Sequence, residues 1–173
     1  MNSDELKVLA KTDLASVSTN LNDADINFLV KTLNEKDDKL RYNAFLLLQA
    51  SSRRFPSVYE FWGELEKKLD SDNSYQRSLG VMLIAENVRW DKKDRFSKTI
   101  SKYLSCCTDE KFITARQTIQ GLEIILKATD KFNDMIKQKL ANLQLSQYKE
   151  NQQKLLIKDT SNVLKIIDRQ SMK

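Results

Sequence analysis

The sequence predicts an all-α fold, a stack of about four antiparallel helix pairs behind an N-terminal capping helix. The main observation is a pair of apolar residues, four apart, that returns about every 36 residues. A spacing of four places both residues on one face of a helix. A period in the range of roughly 20–50 residues is typical of repeat proteins, whose units bury their apolar faces against one another. The four pairs are Leu29 with Leu33, Leu65 with Leu69, Ile100 with Leu104, and Ile136 with Leu140.

Composition supports the same fold class. Three glycines and one proline among 173 residues leave few breaks for helices. The length suits a single domain, residues 1–173, with its own core. We expect no membrane span, because no run approaches 18 apolar residues. The acidic N-terminus lacks the pattern of a signal peptide, and the adjacent Cys106 and Cys107 rarely form a disulfide with each other. A reduced, cytoplasmic protein is therefore expected.

Polar residues that suit helix starts and turns divide the chain into predicted segments. Asn22 suits the start of the first repeat, and Ser57 with Glu60 forms a capping-box pattern at the start of the second. Asp91 and Asp130 similarly mark the third and fourth, and the last helix is expected from about Gln147. The predicted segments are a capping helix over residues 1–20 and repeats over about 22–55, 56–89, 90–128 and 129–170.

One short motif in the second helices resembles the HEAT repeat signature. It is an Asp in the turn, an Arg three residues on and a small residue three further: Asp38, Arg41 and Ala44 in the first repeat. The second repeat echoes it with Asp72, Arg77 and Gly80. The resemblance covers roughly residues 22–170. It implies a right-handed α-solenoid of antiparallel helix pairs, in which such Asp and Arg residues bond between neighbouring repeats. It supports a fold and not a function.

The segment from Trp90 to Asp94 resembles the Trp-Asp-x-x-Asp segment of HEAT-like DNA alkylation-repair glycosylases. The resemblance implies that Trp90 and Asp94 line a pocket for a damaged nucleotide, where an aromatic ring stacks and a carboxylate stabilises an oxocarbenium-like sugar. The same residues also suit a helix start. Asp91 would then be the N-cap and Asp94 the third helical position, with Trp90 as the hydrophobic staple.

The absence of histidine removes Ser-His-Asp and Cys-His catalysis and every His-bearing zinc site. No Gly-rich phosphate loop is present, so we expect no cofactor, no metal and no small-molecule substrate. A binding surface is the remaining expectation. The second helices of such repeats face an inner groove, and a peptide or helix of a partner could lie there. The candidate lining residues are Tyr42, Phe45, Gln49, Val81 and Arg89, although the aromatic ones would equally suit packing between repeats.

Charge is concentrated at the C-terminal end. Residues 1–136 carry 21 basic and 21 acidic residues, so the formal net charge of +5 arises entirely from residues 137–173. Lys154, Lys158 and Lys165 fall along one side of the last helix. They form either a patch for nucleic acid or an acidic partner, or the polar outer face that a terminal repeat needs. The sequence thus favours a non-enzymatic macromolecule-binding or scaffold module with a protein or peptide partner, and the alternative is a nucleic-acid-binding protein.

Overall fold

The computed structural model describes residues 1–172, and over that range all regular secondary structure is helical, without a β-strand. The all-α prediction is confirmed. Short 3₁₀ turns at residues 11–13, 57–61, 88–90 and 106–108 precede or follow several of the helices. The α-helices are α1 (Ser3–Lys7), α2 (Leu14–Ser18), α3 (Asp23–Thr32), α4 (Asp38–Ser52), α5 (Trp62–Lys68), α6 (Ser74–Asn87), α7 (Phe96–Ser105), α8 (Phe112–Ala128), α9 (Asn133–Ala141) and α10 (Glu150–Ser171).

The longer helices α4, α6, α8 and α10 pack side by side in chain order. Helices α3, α5 and α9 pack against α4, α6 and α10, respectively, and α7 contacts the 106–108 turn, which packs on α8. All eight residues of the 36-residue pattern are buried, at no more than 6% exposure, in one continuous core. The periodicity therefore identified core positions correctly.

Polar side chains link segments that lie about one period apart. The Trp62 indole N–H donates to the Thr99 hydroxyl at 3.0 Å, and the hydroxyls of Ser78 and Thr114 lie 2.8 Å apart. Arg77 binds both carboxylate oxygens of Asp109, with N–O distances of 2.6 and 2.9 Å. This bidentate geometry is the strong form of an ion pair. Here the Arg of one motif bonds to an Asp 32 residues on.

Two glycines occupy positions where helices approach closely. A Cβ added at Gly80 would lie 3.0 Å from Cβ of Lys68 and 3.1 Å from the Leu65 carbonyl oxygen, so a side chain there would force α5 and α6 apart. A Cβ at Gly121 would collide with the hydroxyl of the buried Tyr103. The small residue expected at position 80 is thus explained by its contact with α5.

Several predicted boundaries are wrong. The expected capping helix is two short helices, α1 and α2, with a 3₁₀ turn between them. Ser57 begins a 3₁₀ turn without capping it, and α5 starts only at Trp62. Asn22 does cap α3, in a reciprocal pair with Asp25. In the third segment α7 begins at Phe96 and not near residue 91. The helix start is displaced there because Asp94 adopts φ 53°, in the left-handed region that a helix cannot contain.

Candidate functional site

The structure separates the five residues that were expected to line an inner groove. Phe45 and Val81 are buried in the core, at 5% and 0% exposure, and present no surface to a partner. Gln49 is half-buried, whereas Tyr42 and Arg89 are exposed. Tyr42 lies in the second turn of α4, but Arg89 follows the C-terminal end of α6. The groove of five residues is therefore corrected: its apolar members pack between helices, and its exposed members lie apart.

Trp90 is half-buried and is anchored by a hydrogen bond. Its indole N–H donates to the Ser52 carbonyl at the end of α4, over 2.7 Å. The half-buried ring packs against the core. Asn87 also reaches that end, where its amide donates to the Ser52 hydroxyl at 2.9 Å. Trp90 thus holds the end of α6 against the end of α4.

Asp91 caps the start of α7 from a distance. Its two carboxylate oxygens accept the backbone N–H groups of Arg95 and Phe96, each at 2.8 Å. One oxygen also accepts the Tyr59 hydroxyl at 2.7 Å. Burial, reinforced by the Asp91 carboxylate, raises the pKa of Tyr59 to about 12. Asp91 therefore stabilises the start of α7, but the prediction that Asp91 is its N-cap is wrong, because Arg95 occupies that position.

Asp94 is exposed and paired. Lys131, from the segment before α9, places its ammonium 2.7 and 2.8 Å from the two Asp94 oxygens, and the Ser97 hydroxyl donates to one of them at 2.6 Å. These donors, Lys131 first, hold the pKa of Asp94 below its usual value. The prediction that Asp94 occupies the third position of the helix is wrong, because Asp94 precedes α7. The Asp94 oxygens face a lysine, and Trp90, which donates to Ser52, does not line the cleft to which Asp94 contributes.

A cluster of arginines lies at the C-terminal ends of α4 and α6. Arg53 donates through Nε to the Glu86 carboxylate at 2.8 Å, and Arg89 approaches the other Glu86 oxygen at 3.6 Å. Arg89 also donates to the Arg53 carbonyl at 3.2 Å. Glu86 is 2% exposed, whereas Arg53 is 55% exposed. We call Arg53, Arg54 and Arg89 the arginine cluster, in which a buried carboxylate fixes two guanidinium groups at the surface.

A small cleft continues from the arginine cluster toward α9. Its volume is about 260 Å3, and Arg89, Lys92 and Lys131 contribute the cations. Asp91 and Asp94 also line the cleft, but their oxygens already accept the hydrogen bonds described above. Phe55, which directly follows Arg54 in the sequence, is 39% exposed. This end of the molecule therefore combines fixed cations, paired carboxylates and one exposed aromatic ring.

The three lysines predicted as a basic patch are all exposed on α10. Lys154 lies 2.6 Å from Glu150, one turn earlier. The opposite side of α10 is buried and includes Asp159, which accepts bonds from Arg116 at 2.8 Å and Gln120 at 3.0 Å. The lysines are thus on the solvent side of the terminal helix, where they suit either of the two roles that the sequence left open.

Burial raises the pKa of the Cys106 thiol to about 11 and that of Cys107 to about 12, so neither supplies a thiolate near neutral pH. Residues 1–172 contain no cluster of three or more metal-ligating side chains. Within the same range, no helix has both the length and the apolar character needed to cross a bilayer.

Sequence reasoning missed Glu86, the residue that organises the arginine cluster. The signal was a carboxylate directly after the apolar run Leu83, Ile84 and Ala85, where burial is the expected environment. A buried carboxylate is almost always paired, so Glu86 called for a nearby cation. The sequence alone does not show which arginine pairs with Glu86, because the pairing depends on how α4 packs against α6.

Comparison of the chain with protein-family models, with curated proteins and with solved structures finds no match.

Proposed function

We propose that this chain is a HEAT-like α-solenoid and a non-enzymatic binding module, and that its arginine cluster recognises an acidic segment of a partner protein. The observation that carries the proposal is Glu86, a buried carboxylate that holds Arg53 and Arg89 beside each other at the surface. Surface arginines are ordinarily mobile. Those fixed in advance lose less conformational entropy when they bind.

Contacts at a repeated spacing support the solenoid. Side-chain bonds link Trp62 to Thr99, Ser78 to Thr114 and Arg77 to Asp109, at separations of 37, 36 and 32 residues. Each helix in the series α4, α6, α8 and α10 packs against the next. In a solenoid a unit contacts only its neighbours, and this pattern is what such an arrangement requires. The Arg77–Asp109 pair also fits the bonding that the HEAT resemblance implies.

Zero-length carbodiimide cross-linking tests the arrangement. Two exposed ion pairs join consecutive units, Lys102 with Asp70 at 2.7 Å and Lys131 with Asp94 at 2.7 Å, and a third, Lys137 with Asp168 at 3.2 Å, joins the two helices of the last unit. We expect mass spectrometry to recover these three links. Frequent links between units that are not consecutive, such as Lys137 with Asp70, would contradict a solenoid.

Charge and shape favour a protein partner over nucleic acid at the arginine cluster. Asp91 and Asp94 interrupt the row of cations, which a phosphate backbone would have to follow closely. Trp90 is held by Ser52, so no row of stacking rings is available. An acidic peptide needs only a few fixed cations and one apolar contact, and Phe55 can supply that contact.

Fluorescence anisotropy tests this function. The probe is a fluorescein-labelled peptide of glutamate and leucine, and a single-stranded oligonucleotide of equal charge serves as the comparison. We expect the peptide to bind with a strong salt dependence, and Arg54→Glu to weaken it about tenfold through like-charge repulsion. Lys36→Glu is the matched control, because Lys36 is also exposed but lies in the turn before α4, at the other end of that helix.

Equal effects of the two charge reversals would refute the proposed site. Tighter binding of the oligonucleotide, lost when Lys154, Lys158 and Lys165 are changed to glutamine, would instead establish the nucleic-acid alternative. Release of a base from alkylated duplex DNA would establish the glycosylase interpretation. We expect none, because Asp94 is paired with Lys131 and Trp90 is turned away from it.

A further inference from the structure

Lys68, the last residue of α5, is the only buried lysine among residues 1–172, at 6% exposure. Its ammonium donates to the Asn34 side-chain oxygen at 2.8 Å and to the Gln76 side-chain oxygen at 2.5 Å. Gln76 is itself fixed, because its amide donates to the Leu33 carbonyl at 2.7 Å. Both partners of Lys68 are neutral. A buried ammonium ordinarily has a carboxylate partner, and its absence here calls for an explanation.

The two partners match an uncharged amine better than an ammonium. A neutral amine has two N–H donors and a lone pair, whereas an ammonium has three donors. Asn34 and Gln76 accept two hydrogens and leave the third direction without a protein partner. Lys68 lines a surface cavity of about 240 Å3, together with Glu64, Lys67 and Ser71. Small molecules can therefore approach this amine.

Burial also favours the uncharged form of Lys68. The pKa of Lys68 is lowered to about 8, mainly by burial; Glu64 on α5 opposes this shift, and Arg41 on α4 adds a smaller lowering. Glu64 lies 3.6 Å from Lys67, which partly neutralises it. An exposed lysine with a pKa near 10.4 is less than about 1% neutral at pH 7.5. By the same relation, about a quarter of Lys68 is neutral at that pH.

We propose that Lys68 is a nucleophilic amine and a modification site, acylated by small acyl phosphates that enter this cavity. The lone pair of the amine attacks the acyl carbon, and the bond from that carbon to the phosphate oxygen breaks. Phosphate leaves with the electron pair, and the extra proton on nitrogen passes to water. The product amide keeps one N–H for Asn34 or Gln76, and Ser71 lines the same cavity as a donor for the new carbonyl oxygen.

The cavity suits this class of acyl donor by size and charge. It admits a compact molecule, and Lys67 at its lining provides a cation for the phosphate group. Acylation also removes the positive charge of Lys68, so the modified side chain no longer places an unpaired cation in a buried position. A lysine at the surface gains nothing comparable.

Site-resolved mass spectrometry of the full chain tests the proposal, with acetyl phosphate as the reagent. Digestion by a Glu-specific protease leaves Lys67 and Lys68 in one peptide, so the exposed Lys67, at 78% exposure, is an internal reference. At pH 7.5 we expect Lys68 to be acetylated at least about tenfold faster than Lys67, because its neutral fraction is larger. Equal or slower acetylation of Lys68 would overturn the proposal.

Two variants test the geometry. Asn34→Asp and Gln76→Glu each place a carboxylate against the Lys68 nitrogen and favour the ammonium form. We expect either change to slow acetylation of Lys68 by about tenfold and to leave Lys67 unaffected. Asn34→Asp is the more conservative variant, because Asn34 is exposed and the Gln76 bond to Leu33 is retained. If Lys68 reacted as fast in folded Asn34→Asp protein as in the wild type, the proposed role of its neutral partners would be wrong.

Discussion

Replacing Lys68 by methionine is the most informative perturbation of stability. The change removes a buried ammonium and keeps a flexible chain of similar length. The pKa of Lys68 is about 8 in the folded protein, and an ordinary lysine has a pKa near 10.4. Folding therefore disfavours the protonated form. The difference between the two pKa values corresponds to at most about 3 kcal/mol, which solvent in the cavity reduces to about 2 kcal/mol.

The variant also loses interactions. Without the Lys68 donor, the half-buried Gln76 oxygen keeps no partner, which costs about 1 kcal/mol. At pH 7 Lys68 is protonated in both the folded and the unfolded wild type, so the full cost of burying its ammonium lowers wild-type stability. We therefore expect Lys68→Met to stabilise the protein by about 1 kcal/mol at pH 7.

The sign reverses at high pH. Between pH 8 and about 10.4 the unfolded wild type keeps a proton that the folded protein has lost, so this group makes wild-type stability rise with pH. By about pH 10 the cost of burying the ammonium has fallen to about 0.5 kcal/mol, and the lost hydrogen bond, worth about 1 kcal/mol, outweighs it. We then expect the variant to be less stable than the wild type by about 0.5 kcal/mol.

Urea unfolding of both proteins at pH 7 and pH 10 measures this difference. The buried thiols of Cys106 and Cys107 have raised pKa values and lower stability as pH rises, but they do so equally in both proteins and cancel. A difference in unfolding free energy that stayed constant with pH would refute the reasoning. So would a loss of more than about 1 kcal/mol in the variant at pH 7.

Three further expectations follow from packing and local geometry. Leu104→Ala should lower the free energy of unfolding by about 2–5 kcal/mol in chemical denaturation, since Leu104 is 6% exposed in the core; a loss below about 0.5 kcal/mol would contradict the register. Asp94→Asn should lower the melting temperature by a few degrees at most, because its pairing with Lys131 is exposed and asparagine tolerates φ 53°. Gly80→Ala should destabilise the protein by about 1–2 kcal/mol, because the added Cβ crowds α5. Gly63→Ala should stabilise the protein by up to about 1 kcal/mol, because its Cβ meets nothing within 4 Å. Changes of the same sign in the two variants would argue against a close approach of α5 and α6 at Gly80.

Apolar periodicity was sufficient to predict the helical core. Leu29, Leu65, Ile100 and Ile136 are each buried on one face of a helix, and apolar residues at helical spacing predict such a face. Helix starts were less predictable. Asp91 looks like an N-cap in sequence, yet Asp94 enters the left-handed region and moves the start of α7 to Phe96. Loop conformation depends on partners such as Lys131, which sequence spacing does not reveal.

The candidate site was harder to predict, because its members are polar residues from separate parts of the sequence that meet only when the helices pack. Glu86 and Lys68 are both buried, but only packing shows that Glu86 meets Arg53 whereas Lys68 meets two neutral oxygens. Phe45 and Val81 illustrate the opposite error. A helical face that points to a neighbouring helix and one that points to a groove have the same periodicity, so these residues were assigned to a surface that they do not reach.

The reactivity of the two adjacent thiols, at residues 106 and 107, can report when the turn between α7 and α8 becomes exposed. Both are buried, and neither is in a disulfide. A thiol-specific reagent such as dithionitrobenzoate reacts with the thiolate of an accessible cysteine, so its colour would develop only as fast as the turn between α7 and α8 becomes exposed. Local fraying at α1 or α10 would produce no colour, whereas separation of the central helices would expose the thiols and allow them to react. The kinetics of opening in the middle of the chain can therefore be followed without introducing any label.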